Sequence, residues 1–478
     1  MKTRYKILLM SLLFGLCTAM IGCSSEENNS EPVIPTATPT VAPLNTATPT
    51  VKPTNTPRPT NTPKPTNTPT PTFIPEPDPD GEFFNASSAL DKKLGAYYAG
   101  VLTDAEVSKG NAYRLSKKLD AAKEGAETTV LFLGGSVTEG SNASERTPKG
   151  YQKGYAYITF EYLRDTYGFG DGSNFKYVNA GISGTSSALG MNRVEDDVLS
   201  FKPDIIFIEF AVNNDSRITY DNKTYESLIR RCLNAEGEPA VVLLFSAATY
   251  AGGTQAVMEK IGAFYDLTMI SMHNALKTPQ NKKAIEWSDF SKDSVHPQQA
   301  GHYLYAKAIC KTLKHAYEEN TSKSYNIPEN VSKEGYGDYE NLHMINNTNA
   351  EGYITDLGCF QTSKTNHATS GNSDSFALEK GWIKRSDAED KPMVITLECK
   401  SFHVVVKQVN AKTDVDFDVY VDGVKTSTIT TSKSGAWNNA FAYVVFESDE
   451  CSEHTIEIKA NESSVAANAT ILSLGYCK

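Results

Sequence analysis

The stretch TVLFLGGSVTEG, residues 129–140, decides the fold class of the central part of the chain. Residues 129–133 form a continuous apolar run of the length of a buried strand. Two glycines then allow a sharp turn, and Ser136 follows at the carboxyl end of the strand, where open α/β sheets bind ligands. A serine after glycine is also a common helix N-cap, so this stretch alone leaves both interpretations of Ser136 open.

Further short apolar runs, interpreted as buried strands, occur at residues 177–178, 205–210 and 241–245. The spacers between them are long enough for crossover connections, and residues 155–167 have a helical pattern. A last helix is predicted near residues 303–317, where apolar side chains recur at steps of three and four. The pattern therefore predicts an α/β domain with a parallel sheet over residues 83–325.

The C-terminal part, residues 335–478, has a period of two instead. In residues 414–422, Val415, Phe417, Val419 and Val421 alternate with polar residues, and the pair Asp422-Gly423 is typical of a hairpin turn. More runs of strand character occur at residues 393–398, 402–409, 441–446, 455–459 and 469–474. These runs predict an all-β domain, a sandwich or jelly roll.

The N-terminal residues predict export. Residues 1–22 combine a basic start with an apolar segment too short to span a bilayer comfortably, as in a signal peptide. They end at AMIGC, which resembles a bacterial lipobox and implies lipidation of Cys23; ordinary cleavage near Gly22 with free secretion is the alternative. Residues 23–82, rich in Thr and Pro, predict an extended linker. We expect a secreted protein that is lipid-anchored to the outer face of the bacterial cell membrane and has no other membrane contact.

The charge and the cysteines narrow the function classes. A net charge of −11 argues against nucleic-acid binding, which draws on clustered Lys and Arg. Neither a cofactor nor a metal is expected, because no His or Cys cluster has zinc spacing and the aspartates of residues 414–422 form a row rather than a calcium loop. Export makes disulfides possible in three pairings among four C-terminal cysteines, of which Cys359–Cys477 is favoured. The four are Cys359, Cys399, Cys451 and Cys477. Cys232 and Cys310 are expected to be buried free thiols.

A second polar stretch, DSVHP at residues 293–297, precedes the predicted last helix. On one loop, the three-residue spacing lets both side chains face the same way. Asp293 can then hold the imidazole tautomer while His296 accepts a proton from a serine. A surface aspartate with a histidine near a helix start is the structural alternative.

Two segments that end predicted strands contain possible hydrogen-bond donors. In NAGISGT, residues 179–185, Gly184 would allow a close approach of a backbone N–H. In EFAVNND, residues 209–215, Asn213 would offer a side-chain N–H. Donors of this kind stabilise a developing oxyanion, whereas a tight turn and an Asx-turn are the structural alternatives.

The segments GGSVTEG, NAGISG, FAVNN and DSVHPQQAGH together resemble the four sequence blocks of SGNH (GDSL-like) hydrolases. The resemblance implies a flavodoxin-like three-layer domain with Ser136 as nucleophile, His296 as base and Asp293 as its orienting carboxylate. It also implies an oxyanion hole formed by Ser136, Gly184 and Asn213.

The blocks depart from the family pattern at Gly135, where the family name places Asp, at Ala211 for a common Gly, and at Asn214 for a common Asp. None of these departures removes a catalytic atom. The Gly-x-Ser-x-Gly elbow of α/β-hydrolases is not met, because Thr138 occupies the last Gly position.

The resemblance implies a serine esterase that acts outside the cell, with acetyl as the expected acyl group. An exported hydrolase with a β-sandwich partner is similar to bacterial carbohydrate esterases, so the expected substrate is an acetylated plant polysaccharide or oligosaccharide, and the β domain is expected to bind glycan or to wall the site. A lipase, lysophospholipase or thioesterase is the alternative with the same triad. An inactive hydrolase fold that serves as a glycan-binding surface protein is the alternative of another class. The sequence leaves the oligomeric state open.

Four residues close in sequence to the catalytic candidates have interpretations other than catalysis. Trp287 and Phe290 either line a pocket or pack in the core. His302 is expected to be structural, and Glu139 is expected to stabilise a helix N-terminus through the dipole.

Overall fold

The computed structural model describes residues 82–215, 219–250, 253–333, 337–365, 373–385, 389–410, 416–432, 438–461 and 469–478. These residues belong to one compact unit, Ile74–Lys478. The predicted signal peptide, Cys23 and the linker up to residue 81 lie outside the described residues. Val415 and the residue before it, the first two of the alternating stretch 414–422, also lie outside them. Within the described ranges, no helix is long and apolar enough to cross a membrane.

Six strands form the first sheet. They are β1 (Glu106–Ser108), β2 (Thr128–Gly134), β3 (Phe175–Gly181), β4 (Ile205–Glu209), β5 (Ala240–Phe245) and β6 (Thr268–Ser271). Their order is β1-β6-β5-β4-β2-β3, and every neighbouring pair is parallel except β1 and β6. Without the short β1, the strands follow the flavodoxin-like order 2-1-3-4-5, so the predicted fold class is confirmed.

Helices precede, connect and follow these strands. They are α1 (Ala89–Leu94), α2 (Tyr98–Asp104), α3 (Tyr113–Lys123), α4 (Ser136–Glu139), α5 (Tyr155–Tyr167), α6 (Ser187–Asn192), α7 (Val194–Asp197), α8 (Thr219–Leu233), α9 (Gly253–Phe264), α10 (Met272–Asn281), α11 (Trp287–Phe290) and α12 (Gln299–Glu318). The helix predicted at residues 155–167 is α5, and the predicted last helix is α12.

The sheet is covered on both faces. Val130 and Phe132 of β2 pack in one core cluster with residues of α5 and α12. Leu131 and Leu133 pack in another with residues of α8 and α9. Because alternate residues of β2 face opposite sides, both faces of this strand are apolar, and this explains why it appears in the sequence as an unbroken apolar run.

Nine antiparallel strands form the second sheet. They are β7 (Leu342–Ile345), β8 (Ile354–Asp356), β9 (Phe360–Lys364), β10 (Lys380–Lys384), β11 (Met393–Lys407), β12 (Asp416–Val421), β13 (Val424–Thr430), β14 (Ala440–Ala460) and β15 (Thr470–Cys477). The main order is β13-β12-β14-β11-β15-β10-β9, with β7 beside β15 and β8 beside β11. The predicted hairpin is present: Asp422 and Gly423 connect β12 and β13, both with positive φ.

Two predicted breaks in this domain are wrong. Residues 393–398 and 402–409 were expected as separate strands, but β11 runs through both. The runs 441–446 and 455–459 likewise belong to the single strand β14. A register shift beside Ser401 takes up the irregularity: between the pairs Cys399–Ser452 and Ser401–Glu447, one residue of β11 lies opposite four residues of β14.

The second sheet closes over a shared core. Phe360 of β9 and Phe417 of β12 have ring centroids 5.4 Å apart, although four strands separate β9 from β12 in the sheet order. Neighbouring strands lie about 4.8 Å apart, so a flat sheet would hold these rings far from each other. The two ends of the sheet must therefore face each other, as in a sandwich.

The favoured disulfide Cys359–Cys477 is absent, and all six described cysteines are free thiols. Cys359 precedes β9 and packs in the core of the β domain. Cys477 ends β15 and packs in the core cluster that it shares with α8 and α9. Their strands are separated by β10, which keeps the thiols in different cores. Cys232 and Cys310 are buried free thiols, as expected.

Candidate active site

Ser136 lies at the turn between β2 and α4, at the carboxyl edge of the first sheet. It is the first residue of α4, and the N-cap is Gly135, so the alternative interpretation of Ser136 as an N-cap is wrong. A side chain at Gly134 is excluded by close contacts, because a Cβ there would lie 2.2 Å from Thr138 Oγ1 and 2.6 Å from the Glu209 carbonyl oxygen. The turn is therefore as tight as the two glycines predict.

Two hydrogen bonds connect the three residues of the predicted triad. Ser136 Oγ lies 2.7 Å from His296 Nε2, and His296 Nδ1 lies 3.0 Å from Asp293 Oδ2. Ser136 is only 6% exposed, whereas the side chains of Asp293 and His296 are partly exposed to solvent. This is the arrangement in which a histidine can accept the serine proton while a carboxylate fixes its tautomer.

The loop around Asp293 keeps this carboxylate charged. Partial burial opposes the charge, but the backbone N–H groups of His296 and Val295 and the His296 side chain outweigh it and lower the Asp293 pKa to about 2. Both N–H groups donate to Oδ1, at 2.7 and 2.8 Å. Asn142 Nδ2 donates to Oδ2 at 3.0 Å. Nothing in the sequence pattern indicates Asn142, since it lies in a loop without a motif.

Gly184 lies on the loop after β3. It has φ +71°, in the left-handed region that glycine adopts readily. The loop begins against the nucleophile turn, because the Ile182 N–H donates to the Gly134 carbonyl at 3.0 Å. Ser183 N donates to Glu139 Oε2 at 2.9 Å. Beyond the helix-dipole role expected for Glu139, this carboxylate therefore connects the nucleophile helix to the Gly184 loop.

Asn213 lies on the loop after β4, on the opposite side of β2. A Cβ at Gly135 would lie 2.1 Å from Asn213 Oδ1, so the amide packs directly on the glycine next to the nucleophile. Asn213 Oδ1 is buried and has no hydrogen-bond partner among the described residues. Asn214 is placed differently and braces the loop, since its Oδ1 accepts from Ser187 N at 2.8 Å and its Nδ2 donates to Ser187 Oγ at 2.7 Å.

A buried polar group lies beneath the nucleophile turn. Thr138 Oγ1 is 2.8 Å from Tyr155 OH and donates to Glu209 Oε2 at 3.0 Å. Burial raises the pKa of Glu209, and the hydrogen bond from Thr138 acts in the opposite direction. Sequence reasoning assigned Glu209 only to a strand end, because a single acidic residue in an apolar run carries no spacing pattern.

His302 and the two aromatic residues have structural positions. His302 is fully buried, accepts from the Tyr155 N–H at 3.2 Å and lies 3.0 Å from the Ser141 carbonyl oxygen. Burial lowers its pKa to about 4. Phe290 is a core residue, whereas the partly buried Trp287 donates its indole N–H to the Asp293 carbonyl and so braces the triad loop.

No group of three or more His, Cys, Asp or Glu residues in the described ranges is arranged to hold a metal ion. Two aspartates of the β12 hairpin have other partners. Asp418 pairs with Lys425 at 2.7 Å, and Asp422 Oδ2 lies 2.7 Å from His454 Nδ1.

The candidate residues meet where the strand order of a flavodoxin-like sheet reverses. Ser136 follows β2 and Asn213 follows β4, the two strands at the switch point, and Gly184 follows the adjacent β3. Ligands bind at this point in open α/β sheets. A serine hydrogen-bonded to a histidine that is itself hydrogen-bonded to a carboxylate is the arrangement that serine hydrolases use.

Comparison with known proteins identifies the family of this domain. Residues 132–304 match the model of the GDSL-like Lipase/Acylhydrolase family. This part of the chain is a domain of that family, and the protein is a carboxylic ester hydrolase. None of the curated proteins matches the sequence.

Solved structures are similar to both domains. A two-domain esterase (CEX) active on acetylated mannans is 27% identical with a TM-score of 0.67, over 79% of this chain and 99% of that chain. The same esterase co-crystallised with mannopentaose is 26% identical with a TM-score of 0.66, over 79% and 98%. Axe2, an acetylxylan esterase from Geobacillus stearothermophilus, is 21% identical over 40% of this chain and 96% of its own, with a TM-score of 0.28.

Proposed function

We propose that this protein removes O-acetyl groups from a polysaccharide or its oligosaccharides through a covalent acetyl-enzyme on Ser136. The observation that carries the proposal is the pair of hydrogen bonds from Ser136 through His296 to Asp293, at 2.7 and 3.0 Å. A protein that only binds glycan would have no need of this alignment.

In the first half of the reaction, Ser136 Oγ attacks the carbonyl carbon of the acetyl ester while His296 Nε2 takes its proton. The negative oxygen of the tetrahedral intermediate is held by the backbone N–H groups of Ser136 and Gly184 and by the Asn213 amide. The C–O bond to the sugar then breaks, and the sugar oxygen receives the proton from His296. Asp293 stabilises the imidazolium that exists between these proton transfers.

In the second half, water replaces the sugar. His296 takes a proton from the water, whose oxygen attacks the acetyl carbon of the acyl-enzyme. The same donors hold the second oxyanion, and its collapse releases acetate while the proton returns to Ser136 Oγ. Asp293 remains ionised throughout the neutral pH range, because its pKa lies near 2.

Acetylated mannan is the first substrate to examine. The similar two-domain esterase acts on acetylated mannans and is matched over nearly its whole length, which includes a counterpart of each domain here. The exposed Tyr250 follows β5 beside the triad loop, since Thr249 N donates to the Ser294 carbonyl at 2.9 Å. An aromatic face at this edge suits a pyranose ring. Action outside the cell, on a lipid anchor at Cys23, is part of the proposal.

Acetate release tests the proposal. Wild type, Ser136→Ala and the control Ser200→Ala would be compared on acetylated mannan, xylan and pectin, and on p-nitrophenyl esters from acetate to octanoate. Ser200 is a suitable control because it is exposed and bonds only to a helix carbonyl, that of Asp196. We expect Ser136→Ala to lose activity by at least about 10³-fold and Ser200→Ala to match wild type.

Three outcomes would contradict the proposal. Equal rates for wild type and Ser136→Ala would exclude Ser136 as the nucleophile. A preference for octanoate over acetate would favour the lipase or thioesterase alternative. Glycan binding without acetate release by wild type would favour the inactive binding protein.

A further inference from the structure

The C-terminal β domain reaches the loop that contains Gly184. Asn439, the residue before β14, donates its side-chain amide to the Gly184 carbonyl at 2.9 Å and to the Ser183 carbonyl at 3.4 Å. Asn439 is only 8% exposed. A Cβ at Gly184 would lie 2.8 Å from the same amide nitrogen, so the contact also requires glycine at this position.

These two bonds constrain the peptide that carries the candidate oxyanion donor. The carbonyl of Ser183 and the N–H of Gly184 belong to one planar trans peptide, so they point in opposite directions. An amide that holds the carbonyl on one side therefore directs the N–H to the other. The bond to the Gly184 carbonyl fixes the next peptide plane, which limits rotation about a glycine that has no side chain to restrain it.

Asn439 is held firmly enough to act in this way. Its own carbonyl accepts from the Gln408 N–H at 2.9 Å. Gln408 Nε2 donates to the Thr430 carbonyl at 3.1 Å and to Tyr443 OH at 2.8 Å. These bonds tie Asn439 to the ends of three strands, which are more rigid supports than a free loop.

Other contacts hold the two domains in register beside this loop. Asp374 donates its N–H to the Asn179 carbonyl at 2.7 Å and accepts from the Asn179 N–H at 3.1 Å. Asn179 lies on β3, the strand that leads to Gly184. The β domain therefore binds both the strand before the loop and the loop itself.

We propose that Asn439 is a positioning residue that the β domain supplies to the oxyanion hole, acting through the Ser183 and Gly184 peptides. The proposal rests on the proposed function, since it needs Gly184 N–H to serve as an oxyanion donor. Glu139 holds Ser183 from the nucleophile side and Asn439 holds it from the β domain. The loop is thus fixed from two sides by different domains.

Three variants of the full-length protein test this role. Asn439→Ala removes the amide, and Asn439→Asp keeps its shape but turns acceptor oxygens toward two carbonyls. Asn347→Ala is the matched control, because Asn347 Nδ2 also bonds two carbonyls, at 2.9 and 2.8 Å, but does so within the β domain. Kinetics would be measured on an acetyl ester below the unfolding temperature of every variant.

Complete loss of one oxyanion donor lowers kcat by about 10² to 10³-fold. Asn439→Ala leaves the donor in place but removes its positioning, so we expect a smaller fall in kcat, of at least about 10-fold. KM should change less than about twofold, because the ester is held by other groups before the oxyanion forms. Asn439→Asp should be impaired at least as much as Asn439→Ala. Inhibition by a short alkylboronic acid, which forms a tetrahedral anion on the serine, should weaken by the same factor as kcat.

The outcomes separate this inference from the proposed function. If wild type is active and either Asn439→Ala or Asn439→Asp has the wild-type kcat, the role of Asn439 is overturned and the proposed function stands. A fall in kcat as large for Asn347→Ala would show general destabilisation and would also overturn it. Activity that survives Ser136→Ala would overturn the proposed function itself.

Discussion

Replacing Gly135 by alanine should disable the oxyanion hole without unfolding the protein. The new Cβ would lie 2.1 Å from Asn213 Oδ1 and 3.0 Å from Asn213 Cγ. Ordinary contacts of a Cβ begin near 3.4 Å, so the amide oxygen must move by more than 1 Å. The backbone at Gly135 has φ −94°, which other residues also adopt, so the strain falls on Asn213 rather than on the turn.

The expected effect follows from the role proposed for Asn213. If the amide is displaced from the oxyanion hole, Gly135→Ala should lower kcat by about 10² to 10³-fold, or about 2.7 to 4 kcal/mol, as Asn213→Ala should. The unfolding temperature should change little, because the atom that must move is the far end of a side chain rather than backbone. Since both variants remove the same interaction, the double variant should be no slower than either single variant.

Steady-state acetate release by the four proteins of this double-mutant cycle measures the coupling. Gly100→Ala is the control, because a Cβ there meets nothing within 4 Å. Two results would refute the reasoning. Wild-type kcat for Gly135→Ala would mean that Asn213 readjusts without loss, and additive effects of the two changes would mean that they act on different groups.

Two further predictions concern His302 and Cys23. The pKa of His302 is about 4 in the folded protein and 6.5 in an unfolded chain, so the unfolded state binds more protons between pH 6.5 and pH 4. The free energy of unfolding should therefore fall by about 3 kcal/mol as the pH falls through this window. Urea unfolding at pH 7 and pH 4 should show a smaller loss for His302→Gln than for wild type, and equal losses would contradict this. Cys23→Ala should release the protein from membranes of the producing cell into the medium, as measured by fractionation; unchanged membrane retention would exclude lipidation at Cys23.

The sequence predicted the first sheet well because its strands are buried on both faces. Four apolar runs correspond to β2 to β5, and the residues that follow three of these strands form the candidate site. Asp293 and His296 could be recognised together because one short loop holds both. The antiparallel β1, with three half-buried residues, has too little apolar character to be found in this way.

The remaining site residues could not be predicted, because tertiary contacts alone bring them in. Asn142 and Asn439 are single polar residues in loops, and nothing in their spacing relates them to Asp293 or Gly184. Glu139 was assigned a local role because its partner, Ser183, is remote in sequence. The breaks expected in β11 and β14 had a related cause. Polar residues in the middle of a long strand resemble a turn in the sequence when the partner strand is unknown.

The buried charge of Asp197 shows why the β domain is more than an appended module. Asp197 lies on α7, fully buried, and pairs with Arg193 at 3.1 Å. The Phe376 and Ala377 N–H groups each donate to its Oδ1 at 2.9 Å, and Ser375 Oγ donates to its Oδ2. Without the β domain, water would take the place of these donors at Asp197, and the apolar residues that the two domains share would be exposed, among them Ile182 and Leu189, which pack with Val405 and Leu472. Exposure of apolar surface costs about 25 cal/mol per Å², so we expect the first domain alone to be less stable than the whole protein and to lack the Asn439 contact.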